Sequence, residues 1–109
     1  MSRAKGNIAE DKAVVFLQER GYFIAERNFY SRFGEIDIIA TKDDVLHFFE
    51  VKSGEDYESA IQNITPSKIT KLIKTAHVYM KKNSLDIDFV LDALIVTPRD
   101  LEMVENITL

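Results

Sequence analysis

Two apolar segments joined by a short polar turn constrain the fold of this chain more than any other feature of its sequence. Glu35 to Ala40 and Leu46 to Lys52 are rich in Ile, Val and Phe, and the polar segment Thr41-Lys-Asp-Asp separates them. β-Branched and aromatic residues on both sides of a polar turn favour two antiparallel strands. The sequence therefore predicts a β-hairpin.

The register of this hairpin would bring charged residues together. If the turn is centred between Asp43 and Asp44, the opposed pairs are Asp37 with Glu50, and Glu35 with Lys52. Side chains alternate between the two faces of a strand, so all four would project from one face. Two opposed carboxylates, with Cβ atoms about 5 Å apart, repel each other unless a proton or a cation lies between them.

A divalent cation would relieve this repulsion. Carboxylate oxygens suit Mg²⁺ or Mn²⁺, and the chain has no cysteine to favour zinc. Lys52 would place a positive charge beside the metal, where it could orient an attacking water or stabilise charge on phosphoryl oxygens. A Glu-x-Lys sequence alone is common and usually marks an ordinary cross-strand ion pair. In combination with Asp37, Glu50 and Lys52 indicate a metal site suited to phosphodiester hydrolysis.

The rest of the chain predicts two helices and further strands. Apolar residues recur at helical spacing from Ile8 to Arg20 and over residues 66–82. Further strands are predicted at Tyr22 to Asn28, Phe89 to Thr97 and, at an edge, Glu102 to Leu109, whereas Ser53 to Asn63 is predicted as a loop. The order αβββαβ indicates an α/β fold with a mixed central sheet flanked by helices.

Composition indicates one domain over residues 1–109, since 46% of the chain is apolar. No run of about 18 apolar residues could cross a bilayer, and the first residues, Met1-Ser-Arg-Ala-Lys-Gly-Asn, lack the apolar stretch of a secretory signal. We therefore expect a cytoplasmic protein with no membrane partner. The absence of cysteine excludes disulfides, thiolate zinc sites and a cysteine nucleophile.

Charge is unevenly distributed along the chain. The net charge of -4 argues against a surface that coats nucleic acid uniformly. The segment from Pro66 to Asn83, however, contains five lysines and no acid. Most of these lysines are explained by a solvated helix face. Lys68, near the helix N-terminus, is a candidate phosphate contact, because a lysine beside free N-terminal amides suits an anion.

Two further residues are candidates for the same site. On a helical wheel Glu10 lies beside the apolar stripe of the first helix, so we expect it to face the sheet and to need a partner, which the metal shell could supply. Arg32 lies in Phe29-Tyr-Ser-Arg-Phe33, which mixes aromatic and basic residues as a nucleic-acid-contacting loop can. The alternative is a β-turn that packs its aromatic side chains on the sheet.

Several of these residues fall in a known sequence pattern. Asp37, twelve residues and then Glu50-Val51-Lys52 resemble the core of the PD-(D/E)XK nucleases. Gly34-Glu-Ile-Asp-Ile-Ile-Ala and Phe49-Glu-Val-Lys are similar to the YraN-type family within that superfamily, which is related to archaeal Holliday-junction resolvases. Gly6-Asn-Ile-Ala-Glu10 is similar to the opening helix of that family, and the resemblance spans roughly residues 6 to 96.

The resemblance implies a restriction-endonuclease-like fold and a set of roles. It implies Mg²⁺ bound by Asp37, Glu50 and the carbonyl of Val51, with Lys52 as the catalytic lysine and Glu10 as an accessory acid. The chain also departs from the pattern: Ile36 replaces the usual proline, Ser53-Gly54 replace a basic residue, and Val90-Leu91-Asp92 replace Arg-Phe-Asp. These departures weaken the expected phosphate affinity more than the metal site.

Three hypotheses about function follow from the sequence. The leading one is a Mg²⁺- or Mn²⁺-dependent endonuclease acting on DNA, including branched structures, since no base-reading element is evident. The second is a catalytically silent nuclease-fold module that binds nucleic acid or a protein, and the third is a purely structural interaction protein. A homodimer is a further expectation, because resolvase relatives act as dimers and the predicted edge strand could pair across a two-fold axis.

Overall fold

The sheet and its helices follow one another in the order αβββααββ. In the computed structural model, residues 2–108 are described, with side chains from residue 8 onward. The helices are α1 (Ser2–Glu19), α2 (Tyr57–Ile61) and α3 (Pro66–Lys82). The strands are β1 (Phe23–Ser31), β2 (Gly34–Lys42), β3 (Val45–Ser53), β4 (Phe89–Val96) and β5 (Leu101–Val104).

The five strands form one mixed sheet in the order β1-β2-β3-β4-β5. Three neighbouring pairs are antiparallel, whereas β3 and β4 run parallel over the ladder from Leu46–Phe89 to Ser53–Val96. A parallel pair requires a long connection, and α2 and α3 supply it between β3 and β4. The predicted α/β fold with a mixed sheet is confirmed.

The hairpin turn has the geometry that sets the predicted register. Asp43 and Asp44 both have positive φ, 52° and 64°, as a two-residue type I′ turn requires. The β2–β3 ladder runs from Lys42–Val45 back to Ile38–Phe49, which is the predicted register. Aspartate tolerates the left-handed region, so this polar turn fixes which residues face each other.

Helices cover both faces of the sheet. On one face α3 packs Leu72, Ala76 and Tyr79 against a cluster that includes Phe48 and Leu91. On the other face α1 packs Ala13 and Leu17 against a second cluster, which includes Ile38, Phe49 and Leu94. The predicted apolar stripes of both helices are therefore the faces that bury the sheet.

Some boundaries differ from the prediction. The predicted loop Ser53 to Asn63 contains the short helix α2, because Asp56 caps it by accepting a hydrogen bond from the amide of Ser59 at 2.8 Å. β1 continues to Ser31, and α1 begins before Ile8. β5 ends at Val104, short of the predicted 102–109 strand, whose last residue, Leu109, lies outside the described residues.

Within the described part of the chain, no helix is both long and apolar enough to cross a bilayer.

Candidate metal site between two strands

The candidate site lies where β2 and β3 separate. Their ladder ends at the Ile38–Phe49 pair, so the predicted backbone pairing of Asp37 with Glu50 is wrong. The side chain of Asp37 instead occupies the gap, where its Oδ2 accepts a hydrogen bond from the amide of Val51 at 2.7 Å. A side chain thus replaces a backbone partner at the end of the ladder. The predicted pairing of Glu35 with Lys52 is wrong for the same reason, and Glu35 pairs with Tyr30 of β1.

An irregularity in β2 directs Asp37 into this gap. Ile36 and Ile39 pack in the cluster under α3, whereas Ile38 packs in the cluster under α1. Strict alternation would put Ile36 and Ile38 on the same face of the sheet, so the alternation of side chains along β2 is interrupted at Asp37. On the neighbouring strand Asn28 has a φ of 55°, between the regular pairs Arg27–Ile38 and Phe29–Ile36. The prediction that four charged residues share one face by simple alternation is therefore wrong, although all four line one cleft.

Burial and a second carboxyl group make the charge of Asp37 unfavourable. Asp37 is only 8% exposed. Burial raises the pKa of Asp37 to about 8, helped by the hydrogen bond and the negative charge of Glu50, while the Val51 amide and Lys52 act in the opposite direction. Asp37 therefore tends to hold its proton at neutral pH unless a cation takes the place of that proton.

The backbone of β3 adds an oxygen at the same position. In an extended strand the N–H and C=O groups of one residue point to the same side, and the Val51 N–H points to Asp37. The Val51 carbonyl is therefore directed into the same gap. Lys52 follows on β3 and lines the cleft with Glu50.

Glu10 reaches the site from α1, as its helical position predicts. It is 8% exposed, whereas its neighbour Asp11 is exposed. Burial raises the pKa of Glu10, followed by the charge of Asp37, while Arg27 lowers it. Glu10 and Asp37 are thus close enough for their charges to interact.

Two residues of β1 hold Glu10. The Arg27 guanidinium lies 3.5 Å from Glu10 Oε1 and 2.8 Å from Asp11 Oδ1. The Asn28 side-chain amide, oriented to satisfy its surroundings, donates to Oε1 and Oε2 of Glu10 at 3.2 and 3.3 Å. Arg27 and Asn28 are therefore partners of the buried Glu10, and the metal shell as a partner stays a prediction.

A cleft of about 500 Å³ opens beside these groups. Its lining includes Glu10 of α1, Asp37, Glu50 and Lys52 of the sheet, and Lys68 and Lys71 of α3. Charges of both signs therefore face the same space.

The predicted nucleic-acid contacts differ in their placement. Lys68 lines the cleft, as a phosphate contact would. Its backbone amide, however, donates to the Thr65 hydroxyl at 3.3 Å, so the prediction that this amide is free to bind an anion is wrong. Arg32 lies in the β1–β2 turn and does not line the cleft, whereas its neighbour Phe33 does. Arg32 packs over the Phe33 ring at 4.8 Å from the centroid.

The donor set suits a small hard cation that keeps most of its own water. Among residues 8–108, no three His, Asp or Glu side chains form a ready metal cage. Mg²⁺ usually takes one or two protein carboxylates and completes its shell with water and substrate phosphates. Asp37, Glu50 and the Val51 carbonyl match that number and type of ligand.

Sequence reasoning missed the roles of Arg27, Asn28 and Lys71 at this site. Arg27 contacts Glu10 across 17 positions of sequence, and no local pattern identifies such a pair. Lys71 lines the cleft one helical turn after Lys68, so the three-residue spacing of these lysines was an available signal.

A second buried aspartate lies in the same sheet, away from the cleft. Asp92 of β4 is 2% exposed and accepts a hydrogen bond from the Asn106 amide at 2.7 Å. Its other oxygen lies 2.8 Å from His47 Nδ1. His47 stacks on Phe49, which packs under α1, so it lies on the opposite face of β3 from Phe48 and does not line the cleft.

Comparisons with known proteins agree on one family. A family model described as "Uncharacterised protein family UPF0102" matches residues 9–96. UPF0102 proteins of Sulfurimonas denitrificans and Wolinella succinogenes are 65% and 54% identical to this chain over the full length of both proteins. A UPF0102 protein of Helicobacter hepaticus is 56% identical over 99% of this chain and 97% of its own length. The YraN-type family recognised in the sequence is UPF0102, and this chain belongs to it.

Proposed function

We propose that this protein is a divalent-metal-dependent endonuclease of the PD-(D/E)XK type that hydrolyses phosphodiesters in DNA. The observation that carries the proposal is the Asp37–Glu50 pair, held beside the Val51 backbone and Lys52 where two strands separate. A purely structural role would favour neutralising or pairing these carboxyl groups. Here they line a cleft together with two lysines of α3.

Hydrolysis forms a bond from a water oxygen to phosphorus and breaks the bond to a sugar oxygen. The water loses a proton, and the leaving oxygen gains one. When bound, Mg²⁺ or Mn²⁺ supplies the positive charge that lowers the pKa of water and neutralises the phosphoryl oxygens. Asp37, Glu50 and the Val51 carbonyl would hold it.

The other charged groups of the cleft have separate tasks. Lys52, next to Glu50 on β3, orients the attacking water or stabilises the pentavalent phosphorus through its positive charge. Glu10, held by Arg27 and Asn28, is placed to accept hydrogen bonds from waters in the cleft. Lys68 and Lys71 of α3, which also line the cleft, contact phosphates that flank the reacting one.

The test is a cleavage assay with single-stranded, duplex and branched DNA in Mn²⁺ or Mg²⁺. We expect wild-type protein to cut at least one substrate, and Asp37→Ala or Lys52→Ala to lower the rate by about 10²–10³-fold. Asp86→Ala is a matched control, since Asp86 is an exposed acid that does not line the cleft. Cleavage that survives both site substitutions would contradict the proposal.

A silent binding module is the second candidate. It is favoured by the small donor set, since no three acidic or histidine side chains converge among the described residues. The two functions separate in one experiment, in which DNA binding is measured with and without Mg²⁺. Binding that does not depend on metal, with no cleavage of any substrate, would favour the module.

A further inference from the structure

The β1–β2 turn places an aromatic ring at the mouth of the cleft. Ser31 pairs with Gly34, so Arg32 and Phe33 form a two-residue turn between the strands. Phe33 is half-buried and lines the same cleft as Asp37 and Glu50. The core beneath the sheet does not require it, since Phe33 belongs to neither helix-covered cluster.

The turn is anchored to α3. The Phe33 amide donates to Ser31 Oγ at 3.0 Å, and Ser31 Oγ is hydrogen-bonded to Thr75 Oγ1 at 2.9 Å. Thr75 is fully buried and donates to the Lys71 carbonyl at 2.9 Å. These contacts anchor the turn that carries Phe33 to α3.

Cations surround the same ring. The Arg32 guanidinium lies 4.8 Å and the Lys74 ammonium 5.4 Å from the Phe33 centroid. Lys71 of α3 is also close to this turn, since a Cβ atom added to Gly34 would lie 4.0 Å from the Lys71 Cβ. Lys71 lines the cleft, so it extends this basic surface to the candidate site. An aromatic face next to several cations is the combination that binds single-stranded nucleic acid, with stacking for the base and charge for the phosphates.

We propose that Phe33 is a stacking platform for an unpaired nucleotide of the DNA substrate. Arg32, Lys71 and Lys74 bind the phosphates on either side of that nucleotide. The proposal rests on the proposed function and names its substrate class: DNA in which unpaired bases lie next to the phosphodiester that is cut. A continuous duplex cannot use the platform, because its bases are already stacked and paired.

The test measures DNA binding in an Asp37→Asn background, which removes a negative charge and the proposed cleavage. The probes are a fluorescein-labelled single-stranded oligothymidylate and a labelled duplex of the same length, in Mg²⁺. Phe33→Leu keeps apolar bulk without an aromatic face, and Phe33→Tyr restores the face. Phe23→Ala is the matched control, since Phe23 is 69% exposed and lies at the other end of β1.

We expect Phe33→Leu to weaken single-strand binding by about 10-fold and duplex binding by less than about 2-fold, whereas Phe33→Tyr and Phe23→Ala stay within about 2-fold. Equal affinity of Phe33→Leu and its parent for the single strand, an equal loss for both probes, or no DNA binding at all would overturn the proposal. Thermal unfolding of each variant checks that the fold is retained.

These outcomes separate the two proposals. Cleavage by the wild-type protein without a Phe33-dependent preference would overturn the platform and leave the nuclease. A Phe33-dependent preference for single strands, in a protein that cuts no DNA, would support the platform and overturn the nuclease.

Discussion

Two buried aspartates in one sheet have opposite surroundings. Asp92 has a separate partner for each oxygen, the Asn106 amide and His47. Asp37 accepts a hydrogen bond from the Val51 amide, and its other close partner is a second carboxyl group, that of Glu50. Asp92, on β4, is hydrogen-bonded to the C-terminal segment at Asn106, whereas Asp37 lines an open cleft.

The difference separates a structural role from a chemical one. A buried carboxylate whose hydrogen bonds are all made stabilises the fold and has little capacity left for a ligand. A carboxylate placed against another carboxylate destabilises the fold unless a third species neutralises it. By this criterion we expect Asp92 to have a structural role and Asp37 to bind a ligand.

The largest effect on stability is expected at Asp92. Asp92→Ala leaves His47 and the Asn106 amide without their partner, so the free energy of unfolding should fall by about 3 kcal/mol. Urea unfolding followed by circular dichroism measures this change. A loss of less than about 1 kcal/mol would show that the C-terminal segment relaxes and that Asp92 is not a structural residue.

Substitution of Asp37 is expected to raise the free energy of unfolding, whereas substitution of Asp92 lowers it. Its folded-state pKa of about 8 lies above the ordinary value of 3.8, so folding favours the protonated form. The contribution of Asp37 to the stability of the metal-free protein should therefore be fully present below about pH 4 and be lost as the pH rises to about 8. Asp37→Asn does not titrate, and at pH 8 in EDTA it should exceed the wild-type free energy of unfolding by about 1–3 kcal/mol.

The same unfolding series provides the control for Asp37. Part of the decline with pH should persist in Asp37→Asn, because burial also raises the pKa of Glu10. An Asp37→Asn variant that is less stable than wild-type protein at pH 8 would mean that Asp37, like Asp92, is a structural residue.

A smaller effect is expected at Arg27, which pairs with Glu10 and Asp11 at the edge of the cleft. Arg27→Met keeps much of the side-chain volume and removes the charge, so we expect a loss of about 1 kcal/mol, part of it recovered in the double variant with Glu10→Gln. Strict additivity of the two substitutions would contradict the coupling between Arg27 and Glu10.

The hairpin could be predicted because its information is local. Asp43 and Asp44 form a two-residue turn, and this turn alone sets the register from Lys42–Val45 to Ile38–Phe49. Extending this register to Asp37 predicted a wrong partner, because the prediction assumes that the β2–β3 ladder continues past Ile38. The β2–β3 ladder ends at Ile38–Phe49, while β3 continues beside β4 on its other edge as far as Ser53, and the Asp37 side chain bonds to the Val51 amide in the gap between β2 and β3.

The rest of the site depends on contacts between distant segments. The Glu10–Arg27 pair and the Ser31–Thr75 hydrogen bond join elements whose relative position no local pattern specifies. α2 is different, since Asp56 and Ser59 have the spacing of a helix N-cap and that signal was present in the sequence.

The most direct test of the central claim is calorimetric titration of Mn²⁺ into the metal-free protein. We predict one binding site in the wild-type protein, its loss in Asp37→Asn and its retention in Asp86→Ala. Binding should also raise the stability of the wild-type protein, by about 2.7 kcal/mol at a metal concentration 100 times Kd. Equal Mn²⁺ affinity in wild-type protein and Asp37→Asn, or no binding in either, would contradict the claim that the Asp37–Glu50 pair is a metal site.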